Sequence, residues 1–377
     1  MLYAEGNTEL LHYKGSFKSN KLHSYGTLKI GAEIYEGHFE DSHKSGTGKL
    51  VCPGWSYEGM WADDQMQGPG TLRDFIAQSV YTGQMVNGKK DRGILKMKNA
   101  DEYHGQFDDK GLFTSYSELK YKNGNRYHGD FKAGILDGQG VMRYANGDKF
   151  TGSFKDGKIF EGEMRFVEDD GAYLGQWENG AQQGQGLFKF GNGEVYDGAW
   201  HDGLMHGTGL YSYPDGSEFF GQFSDGAKVE GKYKYATGDT YTGSFQDGLK
   251  STGVMLYADG REFRGDFEWG MRKCGTLKFP NGDVYDGEYD EDGLMSGSGT
   301  MQYDNGDRYS GDFDQGLMHG AGRMTFGDGS IYTGEFNNDL MSGDGEFRFP
   351  NGQIYEGQFK DGLMHGMGSL ERPGSSA

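Results

Sequence analysis

The chain has little cysteine and little proline, no long apolar run, and fewer basic than acidic residues. Its 377 residues include 2 Cys and 6 Pro, and 37 Lys and Arg face 57 Asp and Glu, giving a formal net charge of −20. Cys52 and Cys274 lie far apart without metal-type spacing, which indicates reduced thiols of an intracellular protein. No apolar run could span a membrane and no leader pattern opens the chain, so we expect a cytoplasmic location. The acidic excess argues against nucleic acid as a partner, because such binding neutralises phosphates with Lys and Arg.

Glycine and aromatic residues are abundant instead, with 69 Gly, 25 Tyr and 25 Phe. Gly-rich chains without a collagen period are often disordered, but disordered segments are poor in aromatic residues. A sequence rich in both needs a fold in which glycine makes room for rings.

An aromatic-x-Gly-x-aromatic pattern occurs sixteen times, each copy 22, 23 or 24 residues after the previous one. We call the first aromatic residue the anchor ring and the residue four positions later the second ring, and we number the repeats 1 to 16. The anchors are Tyr13, Tyr35, Tyr57, Tyr81, Tyr103, Tyr127, Phe150, Tyr173, Tyr196, Phe219, Tyr241, Phe263, Tyr285, Tyr309, Tyr332 and Tyr355. Every copy keeps its glycine, and Met85 alone replaces a second ring. A fixed period of this length indicates a repeat architecture.

A second glycine element follows each anchor. Nine repeats carry Gly-x-Gly, as in Gly207-Thr208-Gly209, six keep only the second glycine, and repeat 5 has Ser115 and Ser117 in these places. Many repeats are separated by Asn-Gly or Asp-Gly, which supply the positive φ of tight turns. Rings and glycines alternate with polar residues, and a period of two predicts strands. We therefore predict one β-hairpin per repeat, with rings lying over glycines on one face and polar side chains on the other.

The unit from Tyr196 to Gly209 resembles the MORN (membrane occupation and recognition nexus) repeat, as do the segments that start at Tyr309, Tyr332 and Tyr355. The resemblance implies an all-β fold, an elongated single-layer antiparallel sheet of about sixteen consecutive MORN β-hairpins that forms a solenoid-like rod with an aromatic groove. At roughly 4.8 Å per strand, about 32 strands would span on the order of 150 Å.

Four regions are expected along the chain. Residues 1–12 form a half-repeat N-terminal cap, and residues 13–126 form repeats 1–5, which are more degenerate and nearly neutral. Residues 127–370 form the acidic repeats 6–16, and residues 371–377 form a short tail.

No motif for catalysis or cofactor binding is present. The Gly-Lys dipeptides lack the following Ser or Thr of a phosphate-binding loop, and no Gly-x-Ser-x-Gly elbow occurs. His206, His319 and His365 recur at equivalent turns, which marks them as repeat positions, although a zinc role with ligands from a partner stays open. We therefore predict a protein that is not an enzyme, with no cofactor, no catalytic residue and no metal site of its own.

The resemblance implies a non-enzymatic cytoskeletal scaffold that binds partner proteins along its groove. Chains built wholly of such repeats are associated with ciliary or axonemal assemblies such as radial spokes, and with protist cortical or basal-body complexes. The expected location is therefore cytoplasmic and cytoskeleton-associated, with cytoskeletal or axonemal proteins as partners. The alternative is a phosphoinositide or membrane-associated adaptor, against which the acidic charge counts.

Two surfaces are predicted to bind partners. The large rings Tyr173, Trp177, Tyr196 and Trp200 in consecutive repeats are the candidate partner-binding groove, because rings flanked by carboxylates suit Arg and Lys. The alternative is that these rings pack on each other as core. The C-terminal repeats are expected to mediate self-association, because the last strand leaves an open sheet edge.

Overall fold

The computed structural model describes residues 11–372 and contains thirty-two β-strands and no α-helix in that range. The predicted cap lies outside the described residues except for Leu11 and His12, which begin the first strand. The chain divides into two units, residues 1–191 and residues 192–377, and each contains sixteen of the strands.

The first unit contains β1 (Leu11–Lys18), β2 (Lys21–Ile30), β3 (Glu33–Glu40), β4 (His43–Val51), β5 (Trp55–Ala62), β6 (Gln65–Asp74), β7 (Ser79–Val86), β8 (Lys89–Lys96), β9 (Glu102–Phe107), β10 (Phe113–Lys120), β11 (Arg126–Lys132), β12 (Ile135–Arg143), β13 (Lys149–Lys155), β14 (Lys158–Arg165), β15 (Ala172–Glu178) and β16 (Ala181–Lys189). The second unit contains β17 (Val195–His201), β18 (Leu204–Ser212), β19 (Glu218–Ser224), β20 (Ala227–Lys234), β21 (Thr240–Gln246), β22 (Leu249–Leu256), β23 (Glu262–Glu268), β24 (Met271–Lys278), β25 (Val284–Tyr289), β26 (Met295–Gln302), β27 (Arg308–Asp314), β28 (Leu317–Thr325), β29 (Ile331–Asn337), β30 (Leu340–Arg348), β31 (Ile354–Lys360) and β32 (Leu363–Glu371). This confirms the predicted all-β fold with one hairpin per repeat.

Within each unit, every strand pairs antiparallel with its neighbours in the sequence, and the register brings the glycines together. In repeat 14, Gly311 of β27 lies opposite Gly322 of β28, and Gly322 lies in turn opposite Gly334 of β29. The anchor ring Tyr309 crosses this row, since a Cβ built on Gly322 would lie 2.4 Å from its Cε2 atom. A side chain at these positions would displace the ring, which explains why glycine recurs there.

The first glycine of Gly-x-Gly has a different role. A register shift follows the first-strand glycine in most hairpins, as between Gly198 and Trp200, where the second strand has two residues more than the first between the paired positions. One of the residues in this stretch takes a left-handed conformation, with φ of 60° at Gly207. Ser24 and Ser115 occupy the same place with φ of 60° in repeats 1 and 5. Glycine adopts this conformation at least cost, and serine is tolerated there at some cost.

Five repeats avoid the left-handed residue by shortening the hairpin. Repeats 4, 7, 10, 11 and 12 have 12 residues from the anchor to the second glycine, whereas the other hairpins have 13 or 14. Their second strands, β8, β14, β20, β22 and β24, each have 8 residues. The departures from Gly-x-Gly in these repeats, Phe160 and Val229 among them, are therefore the result of a different hairpin geometry.

The anchor rings form the core of both units. They are 0% or 1% exposed from Tyr35 to Tyr332, and each contacts its own second ring and, with few exceptions, that of the next repeat. Tyr309, for example, meets Phe313 at 5.1 Å and Phe336 at 4.9 Å between ring centroids, both edge-to-face. Burying such a ring contributes roughly 1.5–3 kcal/mol. Within each unit the core is therefore a row of rings in which each repeat covers the previous one.

The turns also connect neighbouring repeats. At one edge of the hairpins, a side chain just before the strand accepts a hydrogen bond from a backbone N–H in the next turn, as Asp239 does from Ala258 at 2.7 Å. At the other edge, a backbone N–H donates to the preceding repeat, as Gly226 does to Met205 at 2.9 Å. Hydrogen bonds of these two kinds thus connect many neighbouring repeats at both ends of their strands.

Candidate functional site: the aromatic face of the hairpins

The four rings proposed from the sequence lie on the aromatic face but are almost fully buried. Tyr173 and Trp177 in the first unit are 0% and 6% exposed, and Tyr196 and Trp200 in the second unit are 0% and 7% exposed. Within each pair the two rings meet edge-to-face, at 5.0 Å and 5.2 Å between centroids. These rings are first of all core residues, and a partner on this face would lie above them.

The anchor hydroxyl is also used within the fold. All thirteen tyrosine anchors donate a hydrogen bond to the carbonyl three residues later, as Tyr196 does to Ala199 at 2.9 Å. Burial raises the pKa of Tyr196 to about 12. The hydroxyl therefore stays protonated at neutral pH and stabilises the irregular part of the hairpin.

A third row of rings, which sequence reasoning missed, forms the accessible part of the face. In repeats 5 to 15 the residue that follows the second strand and begins the inter-repeat turn is aromatic, and each such residue is half-buried. We call these residues the turn rings: Tyr121, Tyr144, Phe166, Phe190, Tyr213, Tyr235, Tyr257, Phe279, Tyr303, Phe326 and Phe349. The signal was available in the sequence, because an aromatic residue stands at this position in eleven consecutive repeats.

Turn rings contact the rings of adjacent strands. Tyr213 lies 4.9 Å from Tyr211 and 5.6 Å from Tyr233 between centroids. Phe326 lies 5.8 Å from Phe347, which lies 4.8 Å from Phe349. The turn rings thus extend the buried rows into surfaces that a ligand can reach.

Cations of the chain itself cover part of this face. In four of the five short hairpins, the residue opposite the second ring is Lys or Arg, and its charged group lies over several rings: Lys90, Lys228, Lys250 and Arg272. Lys228 is the clearest case, with its Nζ atom 5.0 Å from the centroid of Tyr213 and 5.1 Å from that of Tyr233. Burial lowers the pKa of Lys228, while the ring faces attract its positive charge.

The C-terminal repeats carry methionine where these cations stand. Met295, Met318, Met341 and Met364 face the rings in repeats 13 to 16. Tyr303 donates to the sulfur of Met318 at 3.9 Å, in the place where Lys228 meets Tyr213. The second unit therefore has two chemically different stretches on one face, one filled by its own cations and one that is apolar.

The opposite face is mainly polar. Asp286 and Glu288 are exposed on β25, and Asp286 accepts a hydrogen bond from Thr276 at 2.9 Å. Leu174 and Phe220 are exceptions, at 56% and 59% exposed.

No candidate metal site is found in the part of the chain that the structure describes. Among residues 11–372, no group of three or more His, Cys, Asp or Glu side chains could hold a metal ion. His206, His319 and His365 stand at equivalent places on β18, β28 and β32. Over the same range, no helix is long and apolar enough to cross a membrane.

Comparison with solved structures gives matches of low similarity. The wild-type TCP10 domain of Danio rerio CPAP is 13% identical, with 73% of this chain and 98% of that chain covered and a TM-score of 0.17. The SAS-4 (dCPAP) TCP domain of Drosophila melanogaster, solved with a proline-rich motif of Ana2 (dSTIL), is 11% identical, with 56% and 90% covered and a TM-score of 0.20. The TCP10c domain of Drosophila melanogaster Sas-4 is 16% identical, with 53% and 100% covered and a TM-score of 0.20. A comparison with curated protein sequences found no match.

The family model of the MORN repeat matches twelve segments, which together cover well over half of the chain. They are residues 13–30, 35–56, 57–74, 127–149, 173–195, 196–218, 219–240, 241–260, 285–308, 309–331, 332–354 and 355–376. Repeats 4, 5, 7 and 12 are not matched, yet the structure forms a hairpin in each. The hairpin register, the crossing of rings over paired glycines and the family match agree, and the chain belongs to the MORN-repeat family.

Proposed function

We propose that this chain is a non-enzymatic scaffold that holds a partner polypeptide on the aromatic face of its hairpins. The observation that carries the proposal is the set of half-buried turn rings, which recur in eleven consecutive repeats although the anchors already supply a core in each unit. Rings with one buried and one accessible side are the residues that interfaces favour. A repeated position of this kind suits a long ligand that contacts several repeats in turn.

Charge defines the partner further. The net charge is −20, and turn carboxylates such as Asp148, Asp239 and Asp283 stand beside the turn rings. A segment with basic and apolar side chains is complementary to this surface, because carboxylates and ring faces both attract cations. In repeats 10 to 12 the chain's own Lys228, Lys250 and Arg272 already serve that purpose, so we place the partner's cations at other repeats.

For the biological setting, we propose a cytoskeletal assembly, either a ciliary axoneme with radial-spoke-like organisation or a protist cortical or basal-body complex. The support is the family membership together with a chain made of repeats from Tyr13 onward. Cytoskeletal or axonemal proteins are accordingly the proposed partners. Cross-linking mass spectrometry on the native complex would identify them and the repeats that they touch.

The experiment that tests the aromatic face replaces buried rings beneath it while the β-strands are kept. Replacing Trp177 and Trp200 with Leu removes two indoles that support the aromatic face, and should weaken binding of the cross-linked partner while the β-sheet circular dichroism is kept. The matched control reverses the outward charges Asp286 and Glu288, and should leave binding unchanged. Binding that survives the double Trp→Leu change and is lost in the charge reversal would place the partner on the polar face instead.

Self-association through the C-terminal repeats is a further part of the proposal. Strand β32 is exposed at all nine positions, with Leu363 at 71% and Met367 at 78%. Exposed apolar edge strands tend to pair with other chains. Deleting residues 309–377 should therefore lower the oligomeric state measured by light scattering, and an unchanged mass per particle would contradict this part of the proposal.

The membrane-adaptor alternative would use the basic residues of the N-terminal third, and three of these have partners within the fold. Lys89 pairs with Asp109 at 3.4 Å and Lys96 with Glu102 at 2.8 Å, while Lys90 lies over the rings of Tyr81 and Phe107. These three basic residues of the N-terminal third are therefore engaged within the fold.

A further inference from the structure

One turn of the second unit shows how this face holds a guanidinium group. Arg261 lies over the turn ring Tyr257, with 4.8 Å from its Cζ atom to the ring centroid. Its Nε atom donates to Asp259 at 2.8 Å. The same carboxylate accepts the backbone N–H of Arg261 at 3.0 Å, so the turn itself positions the acid beside the ring.

The turn of repeat 14 reproduces this arrangement without the arginine. Phe326 is the turn ring, Asp328 stands two residues later as Asp259 does, and Ser330 occupies the place of Arg261. Asp328 accepts the backbone N–H of Ser330 at 2.8 Å, which holds the carboxylate in the same geometry. Hydrogen bonds from Ser330 lower the pKa of Asp328, so this acid is ionised at neutral pH.

The two turns also share their surroundings. In both cases the next turn has proline directly after its turn ring, Pro280 after Phe279 and Pro350 after Phe349. Proline has no N–H to donate, so residues 261 and 330 are both relieved of the inter-repeat hydrogen bond that Ser217 accepts from Ala236. Arginine at one position and serine at the other are therefore interchangeable with respect to the hydrogen bonds between neighbouring turns.

A cavity of about 410 Å³ lies at the repeat 14 turn, lined by Phe326, Phe347, Asp307, Asp328 and Ser330 among others. Within residues 11–372, no Lys or Arg lies over Phe326 or Phe347, and Asp328 has no ion pair there. Both oxygens of Asp307 are used, by Gly327 at 2.8 Å and Asn305 at 2.9 Å. Among the described residues, the hydrogen bonds that Asp328 accepts come from Ser330 of its own turn, so its carboxylate can be shared with a ligand, and two rings lie beside it.

We propose that this cavity, the Phe326 pocket, binds an arginine side chain of the partner polypeptide. The guanidinium would lie on Phe326 and bond to Asp328, as Arg261 does with Tyr257 and Asp259. Arginine suits the site because its planar group stacks on a ring while its edge donates to a carboxylate. The inference rests on the proposed function, since it requires a polypeptide on the aromatic face, and it names one residue class and one subsite for that ligand.

Reciprocal substitution at the two matched positions tests the pocket in the full chain. The probe is the peptide acetyl-Gly-Gly-Arg-Gly-Gly-amide, with a glutamine peptide as its control, and the readout is the NMR shift of the Phe326 and Phe347 rings. Ser330→Arg should fill the pocket with the chain's own guanidinium and abolish these shifts. Arg261→Ser combined with Arg272→Met, which also removes the second guanidinium over Tyr257, should open a second pocket and add shifts at Tyr257. The conservative change Asp328→Asn places at this position an amide that other turns of the chain already carry there, and it should weaken binding of the arginine peptide roughly tenfold.

The outcomes separate this proposal from the wider one. Equal shifts with the arginine and glutamine peptides, or shifts that persist in a folded Ser330→Arg protein, would overturn the pocket while leaving partner binding on the face untouched. If the arginine peptide behaves as expected but the natural partner still binds after the double Trp→Leu change, the pocket stands as a guanidinium site and the proposed binding face is wrong. Amide hydrogen exchange of β27–β30 confirms that each variant is folded.

Discussion

Replacing Gly322 with Ala is the most direct test of why glycine and aromatic rings recur together. A Cβ atom at this position would lie 2.4 Å from Cε2, 2.5 Å from Oη and 2.6 Å from Cζ of Tyr309. Contacts of this length cannot be kept, and the ring has no free space because it is 0% exposed. Either the ring or the strand must move.

The cost follows from what the ring would lose. Tyr309 donates a hydrogen bond to Asp312 at 2.8 Å, worth about 1 kcal/mol. Its edge-to-face contacts with Phe313 and Phe336 are worth about 0.5–1.5 kcal/mol each, and forcing a side chain into a packed core adds about 1–3 kcal/mol. Since some of these contacts would be weakened rather than lost, we expect Gly322→Ala to destabilise the fold by about 3 kcal/mol.

A double-mutant cycle separates this clash from a general effect of alanine. In a Tyr309→Leu background, Gly322→Ala should cost at least about 1.5 kcal/mol less than in the natural chain, because the ring that it strikes is absent. Gly316→Ala is the matched control, with a φ of 85° and no atom within 4 Å of its Cβ, and should lose about 1 kcal/mol independently of Tyr309. The measurements are urea unfolding and native-state hydrogen exchange of β27–β30. Additive costs within about 0.5 kcal/mol would refute the account of the glycine rows.

Three further predictions follow from the same geometry. Burial raises the pKa of Tyr173 to about 12, so this hydroxyl ionises at a lower pH in the unfolded chain than in the folded one. The contribution of Tyr173 to stability should be constant below pH 10 and fall as the pH rises towards 12, as measured by urea midpoints across that range. Trp269 has a φ of 52° and is 80% exposed, and Trp269→Asn should stabilise the chain by about 0.5–1 kcal/mol in thermal unfolding, because asparagine tolerates that conformation. Asp239→Ala removes the acceptor of the Ala258 N–H and should lower the free energy of unfolding by about 1 kcal/mol, with faster hydrogen exchange at that amide. Unchanged exchange there would show that the hydrogen bonds between turns do not connect the repeats.

Much of the fold could be predicted from the sequence because two signals are strictly periodic. Alternation with a period of two fixes the strand faces, and the recurrence of rings every 22, 23 or 24 residues fixes the hairpins. Even repeats that the family model does not match, such as the one beginning at Phe263, keep the anchor and its glycine and form the hairpin. The reason is steric, because a side chain in place of the glycine would strike the anchor ring that crosses it.

The depth of the rings could not be read from the pattern. Alternation shows that Tyr196 and Trp200 share a face, but it does not show what covers them. In the structure, Phe223 of the next repeat lies 4.9 Å from Tyr196 between centroids, so the rings expected to line an open groove are buried. Tyr213 carries an equally regular signal at the start of a turn, where strand alternation no longer applies, and for that reason it was missed.

In the second unit, the departures from the repeat motif determine the chemistry of the aromatic face. Shortening a hairpin by one residue removes the left-handed position, and in four of the five short hairpins a cation lies over the rings, as Lys228 does in repeat 10. Longer hairpins such as repeat 14 place methionine there, and Met318 leaves the turn rings without a charge of their own. A lysine in that position neutralises the attraction of the rings for an external cation, whereas a methionine preserves it. Repeats that look degenerate in the sequence therefore decide where along the second unit a basic partner can bind.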